Sequence, residues 1–197
     1  MKGGEPAMIL CMTSTNEPML RQDASKLEEY IACIAQNDRE AFALLYEHTR
    51  ACVYGFALSI LKNTHDAEDV LHDCYLSVIA SAGSYRPCGK PMAWIFTIAR
   101  NLCLMKLREY RRMGEMPEDD WEAQLREKGS VSPEDSLILA ECMRSLSEEE
   151  RQIVVLHEVG GFKHREIAEL LELPLPTVLS KHSRALKKLK SHLTKGE

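Results

Sequence analysis

An all-α fold of two small helical domains is what this sequence predicts, and three observations predict it. The chain is rich in Leu, Ala, Glu and Lys, while only 6% of it is aromatic. Apolar residues recur at spacings of three and four over long stretches, without β-branched alternation. The pattern then fails over an acidic stretch, 113–131, that separates two patterned regions. With 197 residues there is room for one medium domain or two small ones. The expected division is a flexible tail over 1–24, a first helical domain over 25–112, an acidic linker over 113–132 and a helix-turn-helix domain over 133–195.

The elements follow in order. Residues 26–36 carry the first helical period. Asn37 or Asp38 caps a second helix, 39–62, whose apolar positions include Phe42, Leu45, Tyr46, Val53, Phe56, Leu58, Ile60 and Leu61. Asn63 and Thr64 offer caps for a third, 65–82, with acids in its first turn where the helix dipole favours them. Gly, Ser and Pro make 83–90 a loop. Pro91 opens a fourth helix reaching about Arg112, with an expected inward stripe of Trp94 or Ile95, Ile98, Leu102 and Met105. A short turn is expected near 121–126, and Ser132-Pro133 starts another helix. Ser147 and Glu150 have the spacing of a capping box ahead of Ile153, Val154, Leu156 and His157. Gly160-Gly161 ends that helix.

Residues 164–190 are the most informative. His164 to Leu171 reads as a short helix, Glu172-Leu173-Pro174 as a turn, and Pro176 suits the first turn of a second helix. Val178, His182, Ala185 and Leu189 form its inward stripe. Thr177, Ser180, Lys181, Arg184, Lys187, Lys188 and Lys190 face out. A helix held this way can lie in a major groove.

Charge supports that reading once it is taken locally. The whole chain has a net charge of −5. Residues 90–112 nevertheless hold 6 basic groups against 1 acid, and Leu179 to Lys195 holds 6 against none. Residues 113–150 hold 3 against 12. Phosphate binding responds to charge within a screening length of about 10 Å, so two basic helices count for more than the average. Seven cysteines stand singly, without a CxxC pair, as reduced core residues of a cytosolic protein would. The apolar run Met8 to Met12 is too short for a signal peptide or a membrane span.

Four segments carry a family resemblance. They are Asp38-Arg39-Glu40-Ala41-Phe42 with Leu45-Tyr46, then Asp66 through Leu76, then Ala93 through Asn101, and last Glu166-Ile167-Ala168-Glu169 through Pro174 with Thr177-Val178 and Ser180-Lys181. In this order the chain resembles the extracytoplasmic-function (ECF) sigma factors, group 4 of the sigma-70 family. That resemblance implies a cytoplasmic transcription initiation factor without catalytic residues or cofactor. Its partners would be core RNA polymerase, promoter DNA and an anti-sigma factor, with no membrane insertion and no small-molecule substrate. It places polymerase contacts on Asp66, Asp69, His72 and Asp73. It places −10 contacts on Tyr85, Arg86, Trp94, Arg100, Asn101 and Arg108, with Tyr85 and Arg86 suited to unstacked bases. It places −35 contacts on Pro176, Thr177, Ser180, Lys181, Arg184 and Lys187. The chain departs from the family at Glu172, where the turn usually has Gly, and at Pro176, Leu179 and His182.

Plainer readings stand beside these. Trp94 could simply pack, the acids of 66–73 could be a solvated face, and His182 reads as a hydrogen-bonded core residue. An autonomous helix-turn-helix regulator and a helical adaptor remain as rivals. An enzyme has no support. His157-Glu158 begins like HExxH, but residue 161 is Gly. The 83–90 glycines are misspaced for a P-loop, and no zinc-ligand spacing is visible.

Overall fold

The computed structural model describes residues 24–114 and 141–193, and no strand occurs among them. They fall into two compact units, one within Pro18–Glu118 and the other within Asp119–Glu197. The expected tail, the turn near 121–126 and the Ser132 helix start lie outside the described residues, as does nearly all of the expected linker.

The first unit holds α1 (Ala24–Ile34), α2 (Arg39–Leu61), α3 (Thr64–Ser81) and α4 (Pro91–Met113), with a 3₁₀ turn at Ala82–Ser84. The starts are chemical. Asp38 accepts from the N–H groups of Glu40 and Ala41 at 2.8 and 3.1 Å, and Asn63 accepts from Asp66 N–H at 3.0 Å. Pro91 sits in the first turn of α4, where no N–H is needed. α2 is the central helix, and its second half is buried almost all round from Cys52 to Leu61. α1, α3 and α4 all pack on it. Phe56 and Phe96 meet edge to face at 5.0 Å between α2 and α4.

The inward side of α4 differs from the expected stripe. Its buried residues are Met92, Ile95, Phe96, Ala99, Cys103 and Leu107, while Met105 is 61% exposed. Ile98 and Leu102 are only partly covered. The helix is turned so that its small residues, Ala99 and Cys103, face the core. Small side chains let backbones approach closely, and the Cys74 thiol of α3 reaches the Ile95 carbonyl at 3.7 Å. Of the expected stripe, Ile95 is in the core, Ile98 and Leu102 lie at its edge, and Met105 is outside it.

Residues 141–145 of the second unit are helical. The unit continues through α5 (Glu148–Val154), a π-helical turn (Val155–Val159), α6 (His164–Leu171) and α7 (Leu175–Leu193). The capping box is formed in both directions: Ser147 N–H donates to Glu150 at 2.9 Å, and Glu150 N–H to the Ser147 hydroxyl at 3.3 Å. Arg151 is buried and donates to the carbonyls of Met143 and Leu146 that end the preceding helical segment. At Gly160 an added Cβ would lie 2.8 Å from the Leu156 carbonyl oxygen and 2.9 Å from the Phe162 ring, so only glycine lets the chain fold back here. Ile167, Leu170 and Leu171 of α6 pack against the second unit's core. Val178, His182, Ala185 and Leu189 of α7 are all buried, as the spacing predicts.

The turn between α6 and α7 closes with Leu173 N–H on the Ala168 carbonyl at 3.0 Å. Glu172 sits there with φ of 57° and ψ of 38°, a left-handed conformation that disfavours a side chain. Glu172→Gly is expected to stabilise the second unit by about 0.5–1 kcal/mol, read as a rise in its melting temperature. An unchanged or lower melting temperature would show that Glu172 makes a compensating contact.

Candidate nucleic-acid interface

On α3 the four acid and histidine positions separate. Asp66 is buried, accepts from the Tyr110 hydroxyl at 2.7 and 2.8 Å, and pairs with Lys106 at 2.8 Å. It ties α3 to α4 and is not a surface group. Asp69 is exposed but also reaches Lys106 at 2.8 Å. That hydrogen bond and charge hold its carboxyl below the usual range. Burial alone would lower Lys106, but Asp66 and Asp69 outweigh it and raise the ammonium. His72 and Asp73 face solvent. One turn on, Leu76 and Ile79 are 52% and 42% exposed, so acids and uncovered apolar side chains share this face. Those two were missed by reading charge alone.

On α4 Trp94, Asn101 and Arg108 lie on one outward face at helical spacing, with Met105 between them. Arg100 lies to one side and is partly covered. Trp94 is neither a core residue nor fully free, because its ring lies 4.8 Å from that of Tyr85. Tyr85 donates its hydroxyl to Glu28 Oε1 at 2.9 Å. The same oxygen accepts the backbone N–H of Cys88 at 2.9 Å and of Gly89 at 2.7 Å. These bonds, the Gly89 one foremost, hold Glu28 below the ordinary Glu range. Burial, and then Glu28, push the Tyr85 phenol up, so it remains a donor. Arg86 is left exposed on the loop. Glu28, fifty-seven residues away from Tyr85, is thus the organiser of this loop, and no local pattern marks it.

On α7 Pro176, Ser180, Arg184 and Lys187 are exposed, and Thr177 and Lys181 partly so. They lie away from the buried stripe. Several already have acidic partners on α5. Lys181 pairs with Glu149 at 2.7 Å, Lys188 with Glu150 at 2.7 Å, and Arg184 approaches Glu150 at 3.9 Å. Glu150 stays ionised: burial would raise its pKa, but Lys188 and the Ser147 N–H outweigh that.

Four of the described thiols are held in the core, away from chemistry. Cys52, Cys74, Cys103 and Cys142 are buried, and none of the four forms a disulfide. Burial pushes Cys52 up to about 11 and Cys74 up to about 12, away from the reactive thiolate.

Comparison with known proteins decides the family. Residues 45–113 match the description Sigma-70 region 2, and residues 136–189 match Sigma-70, region 4. The ECF RNA polymerase sigma factor SigK of Mycobacterium sp. (strain KMS) is 32% identical over 196 residues, covering 92% of this chain and 98% of that protein. The chain belongs to the ECF RNA polymerase sigma factors. Such proteins are non-enzymatic initiation factors that direct RNA polymerase to promoters, and the autonomous regulator is not favoured. The sigma factor is also similar to SigK of Mycobacterium tuberculosis (strain ATCC 25177 / H37Ra), at 27% identity over 190 residues, 91% of this chain and 98% of that one. The fold is shared with two solved structures. One is CnrH in complex with the cytosolic domain of CnrY, with a TM-score of 0.63 and 22% identity over 86% of this chain and 98% of that one. The other is RpoE in complex with the anti-sigma factor NepR from Bartonella quintana, with a TM-score of 0.61 and 21% identity over 78% and 96%. No helix among the described residues of the sigma factor is long and apolar enough to cross a membrane.

The Glu28 anchor has a definite pH dependence. A carboxylate whose folded pKa is depressed contributes above its unfolded pKa and stops contributing as pH falls through the folded value. The Gly89 amide resonance of this sigma factor is therefore expected to hold its position through the ordinary Glu range and shift only below it. In Glu28→Gln the shift should be present at every pH. A wild-type transition within the ordinary Glu range would contradict the anchor.

Proposed function

We propose that the first unit docks on core RNA polymerase through the outward face of α3 and engages the −10 element through α4 and the 82–90 loop. The second unit then reads the −35 element through α7. One observation carries this reading: Asn101 and Arg108 on one basic helix and Ser180, Arg184 and Lys187 on the other are exposed, and the two helices belong to separate units. Promoter elements more than one helical turn apart call for two such surfaces.

The residue roles follow from placement. Asp73 and His72, beside Leu76 and Ile79, offer a mixed acidic and apolar face to the polymerase, while Asp69 is shared with Lys106 and Asp66 works from inside. Trp94, Asn101 and Arg108 face the −10 DNA, with Arg100 at the flank. The Tyr85–Trp94 pair forms an aromatic wall beside Arg86, where an unstacked base can lie. Binding duplex DNA exchanges Glu149 for a phosphate at Lys181, so the acids of α5 weaken binding to random DNA. Arg184, Lys187, Ser180 and Thr177 remain open to the groove, and Pro176 sets the start of the helix. The protein works in the cytoplasm alongside polymerase. RpoE from Bartonella quintana is bound to the anti-sigma factor NepR, and CnrH to the cytosolic domain of CnrY, which supports an anti-sigma partner here.

The test is sequence selection from random duplexes by core polymerase loaded with this chain. The expected product is a motif of two blocks more than one helical turn apart. Arg184→Ala should weaken the upstream block and Asn101→Ala the downstream one, each by ~1–3 kcal/mol at the affected positions. Selection of a palindrome by the chain without polymerase would overturn the reading in favour of an autonomous regulator.

A further inference from the structure

Outside these surfaces, the second unit contains a compact group of three histidines and a carboxylate. Glu158 Oε1 lies 3.0 Å from His157 Nδ1 and 3.2 Å from His182 Nε2. The three ligand atoms all lie within 4.8 Å of one another. Corners of a tetrahedral zinc site are separated by about 3.3 Å, given zinc–nitrogen distances near 2.0–2.1 Å. Behind them, His182 Nδ1 lies 3.1 Å from His164 Nε2. The ring centroids of the three histidines are 4.4 to 4.9 Å apart.

The backbone that delivers this group is unusual. His157 and Glu158 sit in the π-helical turn Val155–Val159, closed by Gly160 N–H on the Val155 carbonyl at 3.0 Å. Single π turns inside α-helices concentrate at functional sites. The Gly160-Gly161 fold-back then returns the chain to place His164 beside them, and α7 supplies His182.

We propose that His157 Nδ1, Glu158 Oε1 and His182 Nε2 bind a divalent transition-metal ion of the zinc class, with His164 as the positioning residue behind His182. Two imidazoles and one carboxylate suit such an ion, and they leave a fourth position for water. A metal on His182 Nε2 leaves its proton on Nδ1, and His164 Nε2 is the acceptor for it. A ligating histidine usually has such an outer partner. A groove lined by His164, His182, Leu179, Leu186, Lys187 and Lys190 reaches the His164–His182 side of the cluster, and His157 and Glu158 are themselves part-exposed. The bound ion pins the π turn to the middle of α7, one residue beyond Lys181. It would therefore stiffen the helix assigned to the −35 element, a consequence that rests on the reading above, whereas ion binding itself does not.

The test uses the full chain, freed of metal with a chelator and titrated with Co²⁺ and Zn²⁺. One equivalent of Co²⁺ is expected to give the visible bands of a four-coordinate ion, without the near-ultraviolet band of a cobalt–thiolate bond. Zn²⁺ is expected to raise the melting temperature. His157→Gln and Glu158→Gln, whose side chains are 31% and 30% exposed, should fold without metal and lose both effects. His164→Gln should fold and bind more weakly, by about 10–100-fold. Three results would overturn the proposal: absence of cobalt bands at saturating metal, bands unchanged in both ligand variants, or a thiolate band pointing to cysteine instead.

Discussion

Glu150 is 1% exposed, yet it is ionised, and three groups from two elements meet on it. Its carboxylate completes the capping box with Ser147, accepts from Lys188 at 2.7 Å and faces Arg184 at 3.9 Å. A buried charge is tolerated only when its partners are in place. The start of α5, the position of α7 and the set of basic groups on α7 are thereby coupled. The first unit repeats the arrangement with Asp66, buried between α3 and α4 and held by Tyr110 and Lys106. In both units a carboxylate from a neighbouring helix fixes the basic helix from the core side.

This placement explains how a chain with net charge −5 can present two DNA-binding helices. Some basic groups serve the fold and some serve the ligand. Lys106 and Lys188 belong to the first kind; the proposed function assigns Arg108, Lys187 and the exposed Arg184 to the second, and Lys181 stands between them through Glu149. The local field at α7 is lower than its run of lysines suggests. That suits a subunit whose DNA binding should depend on the polymerase that carries it.

Much of the second unit was legible because its signals are local. The capping box, α6 over His164–Leu171 and the stripe Val178, His182, Ala185, Leu189 are all set by spacing within one or two turns. The left-handed Glu172 was equally visible, as a departure from glycine. On α4 the sequence pattern marks Ile95 but passes over Ala99 and Cys103, whose importance lies in what they let approach. Long-range contacts left no trace in the sequence. Glu28 reaches Tyr85 across 57 positions. The His157, Glu158 and His182 cluster joins two adjacent residues to a third on another helix, so a search for HExxH spacing passes over it. Leu76 and Ile79 read as ordinary helix residues until their exposure was known.

The central claim is that this chain acts as a polymerase subunit docked through α3. Its most direct test is co-purification with bacterial core RNA polymerase, comparing wild type with Asp73→Lys/Leu76→Asp, two changes on the exposed face that leave the core untouched. The account predicts one wild-type chain per core enzyme and loss of the complex in the variant, with unchanged helicity and melting temperature. A wild type that fails to bind core, or a variant that binds as tightly as wild type, would contradict it.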